Sequence, residues 1–157
     1  RIVRELKRDA TAQGQRHALV CRVAVPTLDN KEAQWKLLTD PSLETPPFHA
    51  AAGAFHSALH PDLSAPFTER WLDHVLAADW EADHHRIAAW FGSLFPPLYT
   101  PETLAANRGI LEFAQLPPRP RRAWQEALDR AARGIAIRNF EAQSQSNYSN
   151  PTTAENH

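Results

Sequence analysis

Thirteen prolines in 157 residues set the outer limit on what this chain folds into. A proline inside a helix loses a backbone bond and clashes with the preceding turn, and inside a sheet it removes a ladder bond. The chain is therefore cut into short windows. Between the prolines Ala, Leu, Glu, Arg and Gln dominate, glycines number only 5, and the apolar alternation of a strand is nearly missing. Such windows favour helix throughout, and the expected fold class is all-α.

The first window predicts a helix from Arg1 to Gln13, with Gly14 as its C-terminal cap. A second follows over Gln15 to Val25, with Leu19, Val20 and Val23 on one face and Pro26 as its stop. Thr27 is placed to cap a third helix, Leu28 to Asp40, with Leu28, Trp35 and Leu38 apolar and Asp29, Lys31, Glu32 and Lys36 on a wet face. Beyond a linker over Pro41 to Pro47, Phe48, Ala51, Ala52, Phe55 and Leu59 recur at helical spacing. After Pro61 the same spacing returns in Phe67, Trp71, Leu72, Val75 and Leu76.

Asp79 is read as the cap of a helix carrying Ile87, Trp90, Phe91 and Leu94, ended by Pro96 and Pro97. Thr100 and Pro101 open another, holding Leu104, Ile110, Leu111 and Phe113. A final helix over Arg121 to Ala142 has Trp124, Leu128, Ala131 and Ile135 on one stripe. Residues 1–143 thus read as one helical domain and 144–157 as a disordered polar tail. About seven or eight helices joined by short proline turns suit stacked antiparallel pairs, a HEAT- or armadillo-like right-handed superhelix, better than a four-helix bundle.

The formal net charge is −1, and the basic residues are dispersed apart from Arg119, Arg121 and Arg122, so a nucleic-acid partner is not expected. No run approaches the roughly 18 apolar residues of a membrane span, and the charged N-terminus is no signal peptide. No membrane partner is expected. The single cysteine, Cys21, lies in the apolar run Ala18 to Val25, where a thiol packs as a small hydrophobe, and the lack of a disulfide partner points to the cytoplasm. Methionine is absent, at position 1 as elsewhere, so the chain reads as part of a longer one.

Residue pairs with chemical potential each have a plainer reading. His56 and His60 are spaced as zinc ligands on a helix, yet the run His56-Ser57-Ala58-Leu59-His60 lacks the glutamate of H-E-x-x-H and abuts Pro61. They are expected to be surface or capping histidines. His84 and His85 point in different directions on a helix, which favours structural or exposed roles. Cys21 and His17 share a helix face, but an apolar one, unsuited to an activated thiolate. Trp35, Trp71, Trp80, Trp90 and Trp124 fall mainly on core stripes. There is no glycine-rich phosphate loop, no G-x-S-x-G elbow and no cysteine pair with zinc spacing. No catalytic, cofactor-binding or metal residue is assigned.

One stretch goes beyond composition: R-E-L-K-R-D-A-T-A-Q-G-Q-R-H-A, then Pro26-Thr27, then Lys31 through Trp35. It resembles the C-terminal helical domain of actinobacterial aminopeptidase N, a domain also found in the endoplasmic reticulum aminopeptidases. Glu5, Arg8, Asp9, Thr11 and Gly14 match a similar run there, followed by a Pro-Thr turn and a Lys-x-x-x-Trp helix. The likeness is dense over residues 1–36. It continues in Phe67 to Trp71, Trp80-Glu81, His85 and the Leu-Phe-Pro ending at Pro96, and does not extend past about Gln143.

The resemblance implies a parent zinc exopeptidase that removes N-terminal residues from peptides. Its zinc would be held upstream by an H-E-x-x-H helix and a further glutamate, and no cofactor would sit in this chain. Neither that motif nor a G-x-M-E-N segment occurs here. In such enzymes the domain is a bowl of helices over the active-site chamber, so its partners would be the catalytic domains of the same polypeptide and the peptide substrate. The competing expectation is a free-standing helical-repeat adaptor that binds a protein or peptide in its groove. A self-contained hydrolase using His56, His60 or His84 is the third. A domain detached from its parent should expose an apolar strip on its first helices, whereas an adaptor should carry an initiating methionine and capped ends.

Overall fold

The computed structural model describes residues 11–57, 59–97 and 100–149, with 146–149 as backbone. Within them the α-helices are α1 (Ala12–Val23), α2 (Leu28–Leu38), α3 (Thr45–Phe55), α4 (Phe67–Ala77), α5 (Ile87–Trp90), α6 (Pro101–Phe113) and α7 (Pro118–Ser149). Two 3-10 turns, Pro61–Leu63 and His84–Arg86, precede α4 and α5. The fold is all-α, with no strand among the described residues.

Three helix starts follow side-chain oxygens. Thr27 Oγ1 accepts the Asn30 amide at 3.3 Å, as expected of a cap. Thr100 and Thr103 cap each other's backbone ahead of Pro101. Thr11 does the same for α1, accepting the Gly14 amide at 3.1 Å. Gly14 therefore lies in the first turn of a helix instead of ending one, a correction to the expected boundary. No described glycine adopts the positive φ that a glycine C-cap uses. Residues 1–10, and with them the start of the first expected helix, lie outside the described residues.

Other boundaries shift for physical reasons. Pro46 and Pro47 belong to the first turn of α3, where a missing N–H costs nothing. That helix stops at Phe55 because His56 is extended, which leaves Leu59 85% exposed and off the expected apolar face. Between Asp79 and Leu94 one helix was expected. Asp79 does cap, accepting the Glu81 and Ala82 amides, but the chain then breaks into turns, the 3-10 turn and the four-residue α5. Consecutive Ala89, Trp90 and Phe91 are all buried along with Ile87 and Leu94, and no single face of an amphipathic helix places neighbours that way.

The core is aromatic and continuous. Trp35 contacts Phe55, Phe67 and Trp90, with the Trp90 ring edge-on at 5.7 Å. Trp71 meets Phe91, Phe95 and Trp124 edge-on at 5.7, 5.2 and 5.4 Å. Burying each such ring stabilises the fold by about 1.5–3 kcal/mol, with further gain from edge-to-face geometry. Trp35, Trp71, Trp90 and Trp124 are buried as their stripes predict, and Trp80, on no stripe, is buried as well. Trp71 Nε1 donates to the Trp90 carbonyl and Trp80 Nε1 to that of Val75. Helix α1 packs chiefly on α3, and α6 on α7.

Helix α7 is 32 residues long. It buries Trp124, Ala127, Leu128 and Ile135 against the body. Residues 136–143 are exposed, and the backbone stays helical to Ser149. The expected helix end at Ala142 is thus overrun, and the first residues of the segment expected to be disordered are helical. Residues 150–157 lie outside the described residues. No helix among those described is long and apolar enough to cross a membrane.

Two glycines give opposite expectations. A Cβ at Gly109 would meet nothing within 4 Å, whereas one at Gly92 would sit 2.5 Å from the Ala88 carbonyl oxygen. Gly109→Ala should raise the unfolding free energy by about 0.5–1 kcal/mol. Gly92→Ala should lower it by about 1–3 kcal/mol. Urea titration of the two variants checks both signs.

Candidate functional site

The polar groups of the interior gather where helices end. The last carbonyls of a helix have no partner within it, and the helix dipole makes that end negative. Val23 closes α1 and Phe55 closes α3, and one ammonium serves both: Lys31 Nζ donates to the Val23 carbonyl at 3.1 Å and to that of Phe55. It also lies 5.0 Å from the centre of the Phe55 ring. Lys31 was expected on the wet face of α2. It is instead 2% exposed, because the two carbonyls and the ring replace its water. Burial draws its pKa below the usual lysine range. Beside it, Asn30 Nδ2 donates to the Arg22 and Val25 carbonyls at 2.8 and 3.1 Å.

His56, one residue past α3, continues this junction. Its Nε2 is 3.1 Å from the Leu94 carbonyl and its Nδ1 2.9 Å from Ser64 Oγ. A carbonyl only accepts, so Nε2 carries the proton and, in the neutral ring, Nδ1 accepts from the Ser64 hydroxyl. Burial lowers the His56 pKa; the Leu94 bond opposes that and the Lys31 ammonium reinforces it. His60 is exposed and apart, since α3 ends before either histidine. The expected surface role thus fits His60, while His56 turns inward. Although Ser64 and His56 are a hydroxyl–imidazole pair, Ser64 is 3% exposed and out of a substrate's reach, so the pair acts as a clasp.

Arginines close other breaks. Arg86, buried, donates to the carbonyls of Asp40, Pro41 and Leu43, and its guanidinium lies 4.6 Å from the Phe48 ring centre. His74 stacks on Trp90 at 4.0 Å. Burial lowers its pKa, Asp83 acts against the shift and Arg86 with it. Arg121 Nη1 donates to the Leu111 carbonyl at 2.9 Å, and Arg130 Nη2 to that of Phe91 at 2.7 Å. Of the Arg119, Arg121 and Arg122 cluster, Arg121 therefore turns inward and Arg122 pairs with Glu126 at 3.0 Å. His74 and Arg86 were missed by sequence reasoning; the available signal was the place of His74 three residues after Trp71 on one helical stripe.

His84 and His85 are exposed, as expected, with His84 Nδ1 donating to the Glu81 carbonyl at 3.1 Å. Cys21 corrects its expectation. The thiol is exposed, because α1 buries Ala18 and Val23 instead. Its neighbour His17 is exposed as well.

Several open clefts mark the surface, two of them beside α6. One of about 590 Å³ runs between α6 and α7, lined by Arg108, Glu112, Arg121, Gln125 and Asp129, with Arg108 and Asp129 at 3.7 Å. The other, about 570 Å³, is an apolar groove of Leu76, Ala106, Gly109, Ile110 and Phe113 beside α6. Neither holds a histidine, whereas a third cleft, about 490 Å³, is lined by His84 with Trp80, Glu81 and Pro118. Among the described residues no three His, Cys, Asp or Glu side chains converge as metal ligands.

Lys31→Met should destabilise the fold by about 1–3 kcal/mol, because it strands two buried carbonyls. Lys36→Met, on the exposed side of the same helix, should stay within about 0.5 kcal/mol. Equal effects in denaturant titrations would refute the capping role. In native buffer, Cys21 should react fully with a colorimetric thiol reagent; a thiol that reacts only after denaturation would contradict its exposure.

The chain matches no protein-family model and no curated protein sequence.

Proposed function

We propose that this chain is a non-catalytic helical domain of a zinc aminopeptidase of the aminopeptidase N type, covering the chamber in which the parent removes N-terminal residues from peptides. The observation that carries the reading is the residue pattern Thr11, Gly14, Pro26, Thr27, Lys31 and Trp35. Its members do structural work in the fold: Thr11 and Thr27 open helices, Lys31 closes two, and Trp35 lies in the core. A pattern of this kind serves a scaffold. Chemistry would then reside in upstream domains, which would hold the zinc, while this domain limits peptide length and positions the distal part of the substrate.

Val25 and Leu28 support the same reading. Both are apolar and exposed at the elbow between α1 and α2, with Leu28 47% accessible although it was expected on the buried stripe. An upstream domain packed there would cover them. A HEAT-like right-handed stack of helix pairs and a cytoplasmic location belong to the proposal as well. The pairing of α1 with α3 and of α6 with α7 supports the stack.

The apolar groove beside α6 favours a second reading, a free-standing adaptor that binds a protein or peptide. Its rim residue Phe113 is 78% exposed. The two readings separate on the reading frame upstream of the Arg1 codon. The aminopeptidase reading expects an in-frame H-E-x-x-H motif and a G-x-M-E-N segment; a start codon a few residues upstream would leave the adaptor. In addition, the purified chain should bind no stoichiometric zinc and release no fluorophore from alanyl or lysyl aminoacyl substrates. Zinc with turnover would defeat both readings.

A further inference from the structure

We propose that His56 is a proton-sensing latch: neutral, it clasps the Pro61–Leu63 turn and the segment after α5 to the end of α3, and protonated, it lets the turn go. This inference is independent of the aminopeptidase reading.

The geometry fixes who donates. The Leu94 carbonyl takes the Nε2 proton, so the Nδ1 lone pair faces the Ser64 hydroxyl and receives its hydrogen. Ser64 is a structural corner. Its amide donates to the Pro61 carbonyl at 2.9 Å, and its own carbonyl accepts the Phe67 amide at 3.0 Å. It therefore closes the 3-10 turn and leads into α4. Its side chain is buried.

A proton arriving at Nδ1 converts that atom from acceptor to donor. The Ser64 hydroxyl must then rotate, accept at its oxygen and turn its hydrogen into a buried site. An unmet buried donor is costly. The arriving charge also meets Lys31, whose ammonium is bonded to the carbonyl of the residue before His56.

Among the described residues, the groups that face the ring come from four places. Lys31 comes from α2, the Ser64 hydroxyl from the turn, the Leu94 carbonyl from the segment after α5, and the Phe55 ring from α3, edge-on at 5.1 Å. Among the described residues the charge acting on the imidazole is that of Lys31, of the same sign. With its pKa lowered in the folded chain, His56 contributes stability in full above the unfolded value near 6.5. That contribution is lost as pH falls from there through the folded value.

The test is amide exchange at about pH 5 and about pH 7.5, corrected for intrinsic rates. Protection of the Ser64 and Phe67 amides relative to those of Trp124 to Leu128 should fall about fivefold or more at the lower pH, the equilibrium equivalent of one unmet buried donor. His56→Gln keeps a side-chain donor for Leu94 and an acceptor for Ser64 but does not titrate, and it should abolish the difference. Unchanged relative protection in the wild type, or an equal fall in the variant, would overturn the latch. If the glutamine variant fails to fold, NMR titration of the wild type decides. The His56 imidazole signals should move below the usual histidine range and together with the Ser64 amide; titration in the usual range, or without the Ser64 amide, would refute it.

Discussion

Unpaired carbonyl groups govern this structure. Each place where a proline or an extended residue stops a helix leaves backbone oxygens unpartnered in or near the core, where water is not at hand. The chain meets them with long cationic side chains: Lys31 at the ends of α1 and α3, Arg86 on the loop after α2, Arg121 at the end of α6, and Arg130 on the carbonyl of Phe91. The aromatic core forms around these caps. Phe55 and Phe48 lie beneath the Lys31 and Arg86 charges, so the groups that close the backbone also settle where the rings pack. In a chain with this many breaks, these cations bond carbonyls that longer helices would bond within themselves.

How much of this was legible in the sequence depended on the range of the interaction. Thr27 and Thr100 were readable because a cap bonds a residue three positions on. The tryptophans were readable because a helical stripe repeats locally. Lys31 shows where that reasoning fails. It stands four residues before Trp35 and seven before Leu38, on the buried stripe itself, yet its charge argued for water. Its partners, Val23 and Phe55, lie 8 and 24 residues away, and nothing local announces them. Leu28 erred in the opposite sense, apolar but left exposed. The segment from Asp79 to Leu94 was misread because burial of adjacent residues requires the chain to be enclosed on several sides, which periodicity cannot encode.

The candidate site followed the same division. Spacing alone offered His56 and His60 as a pair, and the end of α3 separates them. What makes His56 distinctive is a hydroxyl 8 residues on and a carbonyl 38 residues on. Histidines here act on the architecture: one clasps a turn, one stacks on a tryptophan, and the adjacent pair faces solvent. Where the inward-turned histidines sit, at a helix end and against a core ring, proton uptake bears directly on packing.

Helix α7 has one more property. Its first half is clamped to the body by Trp124, Leu128 and Ile135, while Ile137 and Phe140 stand clear on the stretch beyond. At about 1.5 Å per residue, the length past Ile135 is about 20 Å. Mechanically this is a cantilever: a force applied near Phe140 acts through a long arm on the very tryptophan that Trp71 and Phe91 enclose. Anything that seizes the stretch around Phe140 takes hold of the core.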